Sequence, residues 1–317
     1  MNSLTQMKKR VSAMPPAIWM ILVMIIYFGF NTKNYFSYGN LLAIIVQASP
    51  LFVVACGQTI VVLMQGTALS LGASLNMMTV LWVVLMQRSL PLGLALTLAM
   101  GSSIAAGFLS GVIVAKMKLP PFIATLGMQN ILNSIALLVS KGSSVYYPHT
   151  IYKTISRGTL LGIPYIIWIA VGCFVLTYVL LNNTRFGVRV ISMGGNPESL
   201  KVAGYSPDAA IIQAFTYAGI MTAIAGFMLA CRVESGNPIV GNGFEFNSVA
   251  AVLLGGTSMR EGRGGVGGTV FGVLLIQILK SGLVMMNVSS IYQTAIIGIV
   301  VLFAIILDAY IKRKQEE

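Results

Sequence analysis

The fold is decided by residues 91–115, which read PLGLALTLAMGSSIAAGFLSGVIVA. This stretch contains no charged residue, and it is longer than the roughly 20 apolar residues that an α-helix needs to cross a bilayer. Many of its residues are Gly, Ala or Ser, and such small residues let neighbouring helices approach closely inside a membrane. The stretch therefore predicts a transmembrane helix that packs tightly against another helix.

Similar apolar runs fill most of the chain. The chain has 317 residues, of which 56% are hydrophobic and 9% are charged, whereas soluble domains are about 25% charged. Ten runs cover approximately 15–31, 41–64, 68–87, 91–115, 120–140, 164–182, 208–231, 246–259, 266–286 and 289–308. The sequence predicts an all-α polytopic membrane protein with about ten transmembrane helices in one domain over 1–317. The eighth run is short for a full crossing.

The basic residues predict the side on which the termini lie. Of the 20 Lys and Arg residues, 13 fall in segments that ten crossings place on the side of the N-terminus, 6 fall on the other side, and Lys280 falls within a run. Loops rich in Lys and Arg remain in the cytoplasm. Both termini are therefore expected to be cytoplasmic, and the net charge of +12 is attributed to these loops rather than to nucleic-acid binding.

Patterns typical of enzymes and metal sites are not found. Cys56, Cys173 and Cys231 lie in or at the edge of apolar runs, and His149 stands alone in a polar loop. Residues 262–267 fit G-x-G-x-x-G, but this pattern binds dinucleotides only where a strand leads into a helix, and here it lies between two apolar runs. A phosphate loop of the form G-x-x-x-x-G-K-[ST] does not occur. We expect no catalytic residue, no metal, no cofactor and no ATPase activity of the chain's own.

A short helix is predicted within the cytoplasmic segment 183–209. Asn196 can cap its first turn, and Pro197 suits the first helical position. Gly204 can end the helix in the left-handed conformation, so the helix should cover 197–203. A helix of two turns is not stable alone.

This short helix is placed to contact something outside the chain, either a partner protein or the lipid headgroups. Leu200 and Val202 are expected to be exposed on it. The residues predicted to make the partner contact are Asn196, Glu198, Leu200, Lys201 and Gly204.

The apolar runs carry neutral amides and no acid in the middle of a run. Amides suit an uncharged, polyhydroxylated solute, and the missing acids count against a proton- or sodium-coupled transporter. Asn130 and Asn133 are three residues apart and share a helix face. The alternative is interhelical hydrogen bonding, which contributes about 0.6 kcal/mol on average. The residues predicted to line a solute pathway are Gln58, Asn76, Gln129, Asn130 and Asn133.

Pro50 lies inside the second run. Proline removes a backbone donor, so we expect Pro50 to bend or break that helix. Broken helices at membrane depth usually line a cavity.

Five stretches give the chain a resemblance to a known family. They are PFIATLGM (121–128), RFG (185–187) followed by GGNPE (194–198), AAVLLGGTS (250–258) followed by GRG (262–264), GL (282–283) followed by VSSIYQ (288–293), and Asp308. In this order, over roughly 35–310, the chain resembles the permease subunits of bacterial ATP-binding-cassette sugar importers of the ribose, galactose and xylose type.

The resemblance implies two permease chains around one pathway, with a cytoplasmic ATP-binding-cassette ATPase below them and an extracytoplasmic solute-binding protein outside. It implies a monosaccharide as solute, the lipid of the bacterial cytoplasmic membrane as surroundings, and a coupling role for 183–209 at the ATPase. Ala68 stands where the family usually has an acid, and Ser199-Leu200-Lys201 stand where two alanines and an arginine are usual. These departures leave both a homodimer and a heterodimer open. The rival functions are a related permease for nucleosides or branched-chain amino acids, and a stand-alone secondary transporter.

Overall fold

The computed structural model describes residues 16–259, 261–300, 302 and 306. In chain order its elements are α1 (Pro16–Asn31), α2 (Tyr38–Leu63), α3 (Leu71–Gln87), α4 (Leu92–Met117), α5 (Pro121–Ser140), α6 (Thr150–Arg157), β1 (Thr159–Leu160), β2 (Ile163–Pro164), α7 (Tyr165–Asn183), α8 (Arg185–Gly195), α9 (Pro197–Val202), α10 (Pro207–Val233), α11 (Phe244–Leu254), α12 (Val266–Met285) and α13 (Ser290–Val300). Over these ranges the only sheet is the two-residue hairpin β1–β2, so the all-α class is confirmed.

Six of these helices are long and apolar enough to cross a membrane. They are α2, α4, α5, α7, α10 and α12. The other four apolar runs coincide with the shorter helices α1, α3, α11 and α13. The chain is therefore a multi-pass membrane protein, while ten crossings and cytoplasmic termini stay predictions. The basic N-terminal residues Lys8, Lys9 and Arg10, and also Asp308, lie outside the described residues.

Helix α10 forms the centre of the bundle. It packs against α4, α2 and α3, and it is the most buried of the six long helices. A methyl group added at Gly107 of α4 would lie 2.5 Å from the carbonyl oxygen of Phe215 in α10. The close approach predicted for the small residues of 91–115 is confirmed at Gly107 and also at Gly111, whereas Gly101 faces open space.

Pro50 does not break α2, which continues through it from Tyr38 to Leu63. The expectation of a break was therefore wrong. Pro50 is buried, and the Ser49 hydroxyl donates to the Ile45 carbonyl oxygen at 2.8 Å. This hydrogen bond does not satisfy the Val46 carbonyl, which is the group that Pro50 leaves without its i+4 donor, so the continuity of the helix is attributed to the burial of Pro50 among its neighbours.

Helix α11 is half a span. At about 1.5 Å per residue its 11 residues extend only about 16 Å, which agrees with the prediction that the eighth run is too short. The non-helical segment 235–243 precedes it. Gly236 lies against Thr79 and Val80 of α3, and Gly241 lies against Gly72 near the start of α3. The segment thus returns alongside α3 before α11 begins.

Candidate functional site

An amide cluster joins α3, α5 and segment 235–243. The Asn76 Nδ2 donates to Oδ1 of Asn133 at 3.1 Å and to Oδ1 of Asn242 at 2.8 Å. The Asn76 Oδ1 accepts from the Gly241 backbone N–H at 2.6 Å. Asn76 is fully buried and Asn133 is half-buried, so the structure brings these two predicted pathway residues together.

A buried carboxyl group lies beside this cluster. Glu245 stands in the first turn of α11 and is 4% exposed. Its Oε1 accepts from the Gln129 Nε2 at 3.1 Å and from the Gly243 N–H at 3.2 Å. Gln129 is the ninth of the 20 residues of α5, so Glu245 is level with the middle of that helix.

Glu245 corrects the expectation that the apolar interior holds no acid. From the sequence, Glu245 falls one residue before the eighth run, in what reads as a loop. It is buried because segment 235–243 returns into the bundle before α11 starts. The available signal was the short eighth run preceded by Gly241 and Gly243, since an incomplete span must start below the surface. The missing-acid argument against a secondary transporter therefore no longer holds.

Two of the predicted pathway residues lie apart from this cluster. Gln58 is fully buried, and its amide faces the backbone of Ala68. In the orientation that satisfies both groups, the amide donates to the Ala68 oxygen at 3.2 Å and accepts from the Ala68 N–H at 3.2 Å. Asn130 is exposed on α5. Asn130 therefore points away from the cluster, and Asn133 shares its inward face with Gln129, four residues before it.

The short helix predicted over 197–203 is present as α9. Asn196 Oδ1 accepts from the Glu198 N–H at 3.0 Å, which confirms the N-cap. Gly204 adopts φ +79°, and its N–H donates to the Lys201 carbonyl oxygen at 2.9 Å, which confirms the left-handed end. The helix stops at Val202, one residue earlier than predicted. Lys201 pairs with Glu198 at 2.8 Å.

Leu200 is buried, with 2% of its surface exposed, whereas Val202 is 88% exposed. The expectation of exposure was therefore wrong for Leu200 and is confirmed for Val202. Residues two apart on a helix point to nearly opposite sides. Because α9 packs against α8, one of the two had to turn inward.

A close junction holds α8 and α9 to the rest of the chain. Gly194 lies against the carbonyl oxygen of Leu63 at the end of α2, and against Gly262. The Gln65 Nε2 donates to the Gly194 carbonyl oxygen at 2.8 Å. Gly262 has φ +62°, and any side chain there would overlap Gly194. The first glycine of the G-x-G-x-x-G stretch thus serves packing.

A cleft of about 940 Å³ separates α9 from the turn between α4 and α5. Pro120 and Pro121 line it on the α5 side, and Pro197 and Lys201 line it on the α9 side. The N-terminus of α5 therefore borders the same cleft as the short helix. α5 also carries Gln129 and Asn133, so one helix runs from this cleft to the buried polar cluster.

The chemistry of the cluster is that of hydrogen bonding. Amides both donate and accept, and a carboxylate accepts through two oxygens. Within 16–259 and 261–300, no group of three His, Cys, Asp or Glu side chains could hold a metal ion. The cluster can bind a neutral solute rich in hydroxyl groups.

Comparisons with known proteins agree over nearly the whole chain. A family model described as the permease component of the branched-chain amino acid transport system matches residues 40–305. The ribose import permease protein of Escherichia coli strain K12 is 32% identical over 294 residues, which cover 91% of each chain. That of Bacillus subtilis strain 168 is 33% identical over 290 residues, covering 91% of this chain and 90% of its own.

A more distant relative is similar over as much of the chain. The fructose import permease protein of Rhizobium meliloti is 29% identical over 307 residues, covering 94% of this chain and 85% of its own. No solved structure matches the chain. Because the family model covers most of the chain and two ribose import permeases exceed 30% identity over nine-tenths of it, the chain belongs to the family of permease components of ATP-binding-cassette importers.

Proposed function

We propose that this chain is the membrane-spanning permease subunit of an importer that moves a monosaccharide into the cell, driven by a separate ATPase. The observation that carries the proposal is the similarity to ribose import permeases over about nine-tenths of both chains. The similarity to a fructose import permease also supports a monosaccharide. The chain is a transport component rather than an enzyme.

The proposed topology has ten passages through the bacterial cytoplasmic membrane and both termini in the cytoplasm. The excess of Lys and Arg on the N-terminal side supports it. In this topology, segment 235–243 and α11 make the eighth passage together, since neither is long enough alone. The whole chain, 1–317, forms one permease domain, and 183–209 is its cytoplasmic coupling loop.

We assign ATPase coupling to α9 and the residues around it. Asn196 and Gly204 fix the ends of the helix, and Glu198, Lys201 and Val202 present its outer surface. Leu200 is buried beneath the helix and holds it on the rest of the chain, so its proposed role changes from contact with the ATPase to anchoring of α9. The cleft next to α9 borders the N-terminus of α5, so closure of this cleft would bring α9 against α5.

We assign the solute pathway to the surface of α5. Gln129 and Asn133 face the buried cluster with Asn76, and Asn130 and Ser134 are exposed within the same apolar helix. Amides exposed to lipid are costly, so this surface should face water or a second permease chain. Gln58, which is paired with Ala68, would take part only if that contact opens.

A branched-chain amino acid is the second candidate, because the matched family model is named for such a transport system. A zwitterionic solute carries a carboxylate, which needs a cationic or strongly donating partner. The polar cluster of the described residues holds one carboxyl group and amides, and no Lys or Arg pairs with Glu245 there. Glu245 can accept from the ammonium group of an amino acid as well as from a hydroxyl group, so the preference for a sugar rests on the similarity to sugar import permeases.

The test is purification followed by transport. The tagged chain is purified from its native membrane in mild detergent, reconstituted into vesicles, and assayed with ATP for uptake of D-ribose, D-fructose, L-arabinose and leucine. We expect an ATPase and a solute-binding protein to co-purify, and a sugar to be taken up only with ATP. A second permease of different sequence in the eluate would indicate a heterodimer. Uptake by the chain without any ATPase would contradict the proposal.

A further inference from the structure

We propose that Glu245 accepts a hydrogen bond from a hydroxyl group of the transported solute in the middle of the pathway. Between transport events, the Gln129 amide donates to this carboxyl group instead. The inference rests on the proposed function, because it assigns a binding role within the same pathway. It concerns a residue that sequence reasoning placed in a loop.

The carboxyl group of Glu245 has one oxygen atom without a hydrogen-bond partner. Oε1 of Glu245 has two donors, Gln129 and Gly243. Oε2 is buried and has no hydrogen-bond partner among the described residues. Buried polar atoms almost always have a partner, and an ionised carboxylate can accept about four hydrogen bonds. Because Oε2 packs against Gly72 in this conformation, a donor from outside the chain can reach it only after the neighbouring elements move apart.

The carboxyl group of Glu245 is held in place on both sides. Its helix, α11, begins one residue earlier, so the backbone at Gly243 fixes Oε1 directly. On the other side Oε2 lies against Gly72, where any side chain would overlap it. Bare backbone at Gly72 thus makes room for the carboxyl group. A fixed acceptor is what a binding site needs, because little ordering is lost when the ligand binds.

The polar groups near Glu245 indicate the chemistry of the ligand. The carboxyl group contacts the amide of Gln129 and lies beside the cluster of Asn76, Asn133 and Asn242, and no cation pairs with it in the described part of the chain. A hydroxyl group can donate to the carboxylate while its oxygen accepts from the amide that it displaces. A neutral polyhydroxylated solute fits this set.

The side chain of Gln129 is free to move away from Glu245. Its side chain is only half-buried, and the next residue, Asn130, is exposed. Helix α5 is among the least buried of the six long helices and packs mainly on α3. Its N-terminus borders the cleft beside α9. A displacement of α5 that accompanies closure of this cleft would separate Gln129 from Glu245 and open the carboxyl group to solute.

The main test is Glu245→Gln in the reconstituted complex with its ATPase and binding protein. The amide oxygen keeps the contacts to Gln129 and Gly243, while Oε2 becomes a donor. If Glu245 only links helices, the variant should transport normally. If Glu245 accepts a solute hydroxyl, ATP-driven sugar uptake should fall by about tenfold, because the oxygen that accepts the hydroxyl becomes an amide nitrogen that can only donate. Glu234→Gln is the matched control, because it makes the same change at an acid paired with Arg157.

A second variant is expected to gain binding, and a variant that fails to fold cannot show such a gain. Gln129→Ala removes the donor that competes with the solute and leaves Glu245 in place. Binding is read as the concentration of added D-ribose, D-fructose or L-arabinose that half-protects the purified complex against thermal unfolding. We expect Gln129→Ala to lower the half-protecting sugar concentration severalfold, a gain that a structural role would not produce.

The outcomes separate the two proposals. Uptake by Glu245→Gln within twofold of the parent, or protection that is unchanged or weaker in Gln129→Ala, overturns the role of Glu245 while sugar import stands. A parent complex that takes up none of the three sugars overturns the proposed function itself.

Discussion

Leu200 and Val202 have the same apolar character but opposite environments. They are two positions apart on a six-residue helix, so one turns toward α8 and the other toward solvent. Such a helix is too short to form alone, and its caps at Asn196 and Gly204 fix only its ends. Burial of Leu200 therefore supplies the tertiary contact that keeps α9 folded on the chain.

Leu200→Ala should release α9 from the permease. Truncation of a buried leucine costs about 2–5 kcal/mol, and a helix of this length cannot compensate. We expect the amides of 198–202 to exchange with deuterium more than tenfold faster, and ATP-driven uptake to fall. The measurement is hydrogen exchange of the purified complex by mass spectrometry.

Val202→Ala is the control for this change, because its side chain is 88% exposed. It should leave the exchange of α9 unchanged. Equal exchange rates in Leu200→Ala and the parent chain would show that Leu200 does not anchor the helix.

At the scale of elements, α5 has two different faces. Gln129 and Asn133 point to the buried cluster, while Asn130 and Ser134 are exposed within an apolar helix. A helix in contact with lipid on that face would carry apolar residues there. The exposed polar face is the element-level feature that distinguishes a pathway helix from a lipid-facing one.

An Asn130→Cys thiol should react with a membrane-impermeant thiol reagent. The native Cys56, Cys173 and Cys231 are all buried, so they should give little background. Val175→Cys is the control, because Val175 is exposed near the middle of the apolar helix α7. We expect labelling of the first variant and not of the second, measured by mass shift. Equal labelling of both would contradict a water-filled pathway along α5.

At the scale of the whole molecule, Gly194 joins three segments that are far apart in sequence. It touches the end of α2 at Leu63 and the glycine-rich loop at Gly262, and its carbonyl oxygen accepts from Gln65. Helices α8 and α9 are thereby fixed to the membrane bundle. Movement at α9 is transmitted to the bundle only if this junction is rigid.

Gly194→Ala should destabilise the whole permease, because the new methyl group overlaps backbone atoms that cannot move away. Overpacking of this kind costs about 1–3 kcal/mol. Gly195→Ala is the adjacent control, since a methyl group there meets nothing within 4 Å. We expect the thermal unfolding midpoint in detergent to fall for the first variant and not for the second. A midpoint unchanged by Gly194→Ala would contradict the tight junction.

The sequence by itself determined the class of the protein, its helices and its family. Long uncharged runs predict membrane helices because lipid accepts no unpaired backbone, and the caps at Asn196 and Gly204 are local signals read within one turn. The glycine-rich and proline-containing stretches predicted the family because they are short and ordered along the chain.

Only the tertiary structure decided which side chains meet. The burial of Glu245 depends on the return of segment 235–243 along α3, and that of Leu200 depends on where α8 lies. The separation of Asn130 from Asn133 depends on how α5 is rotated against α3, and the continuity of α2 through Pro50 depends on the neighbours that hold it. These are contacts between residues distant in sequence, and neither hydrophobic periodicity nor capping residues encode the rotation and depth at which two elements pack.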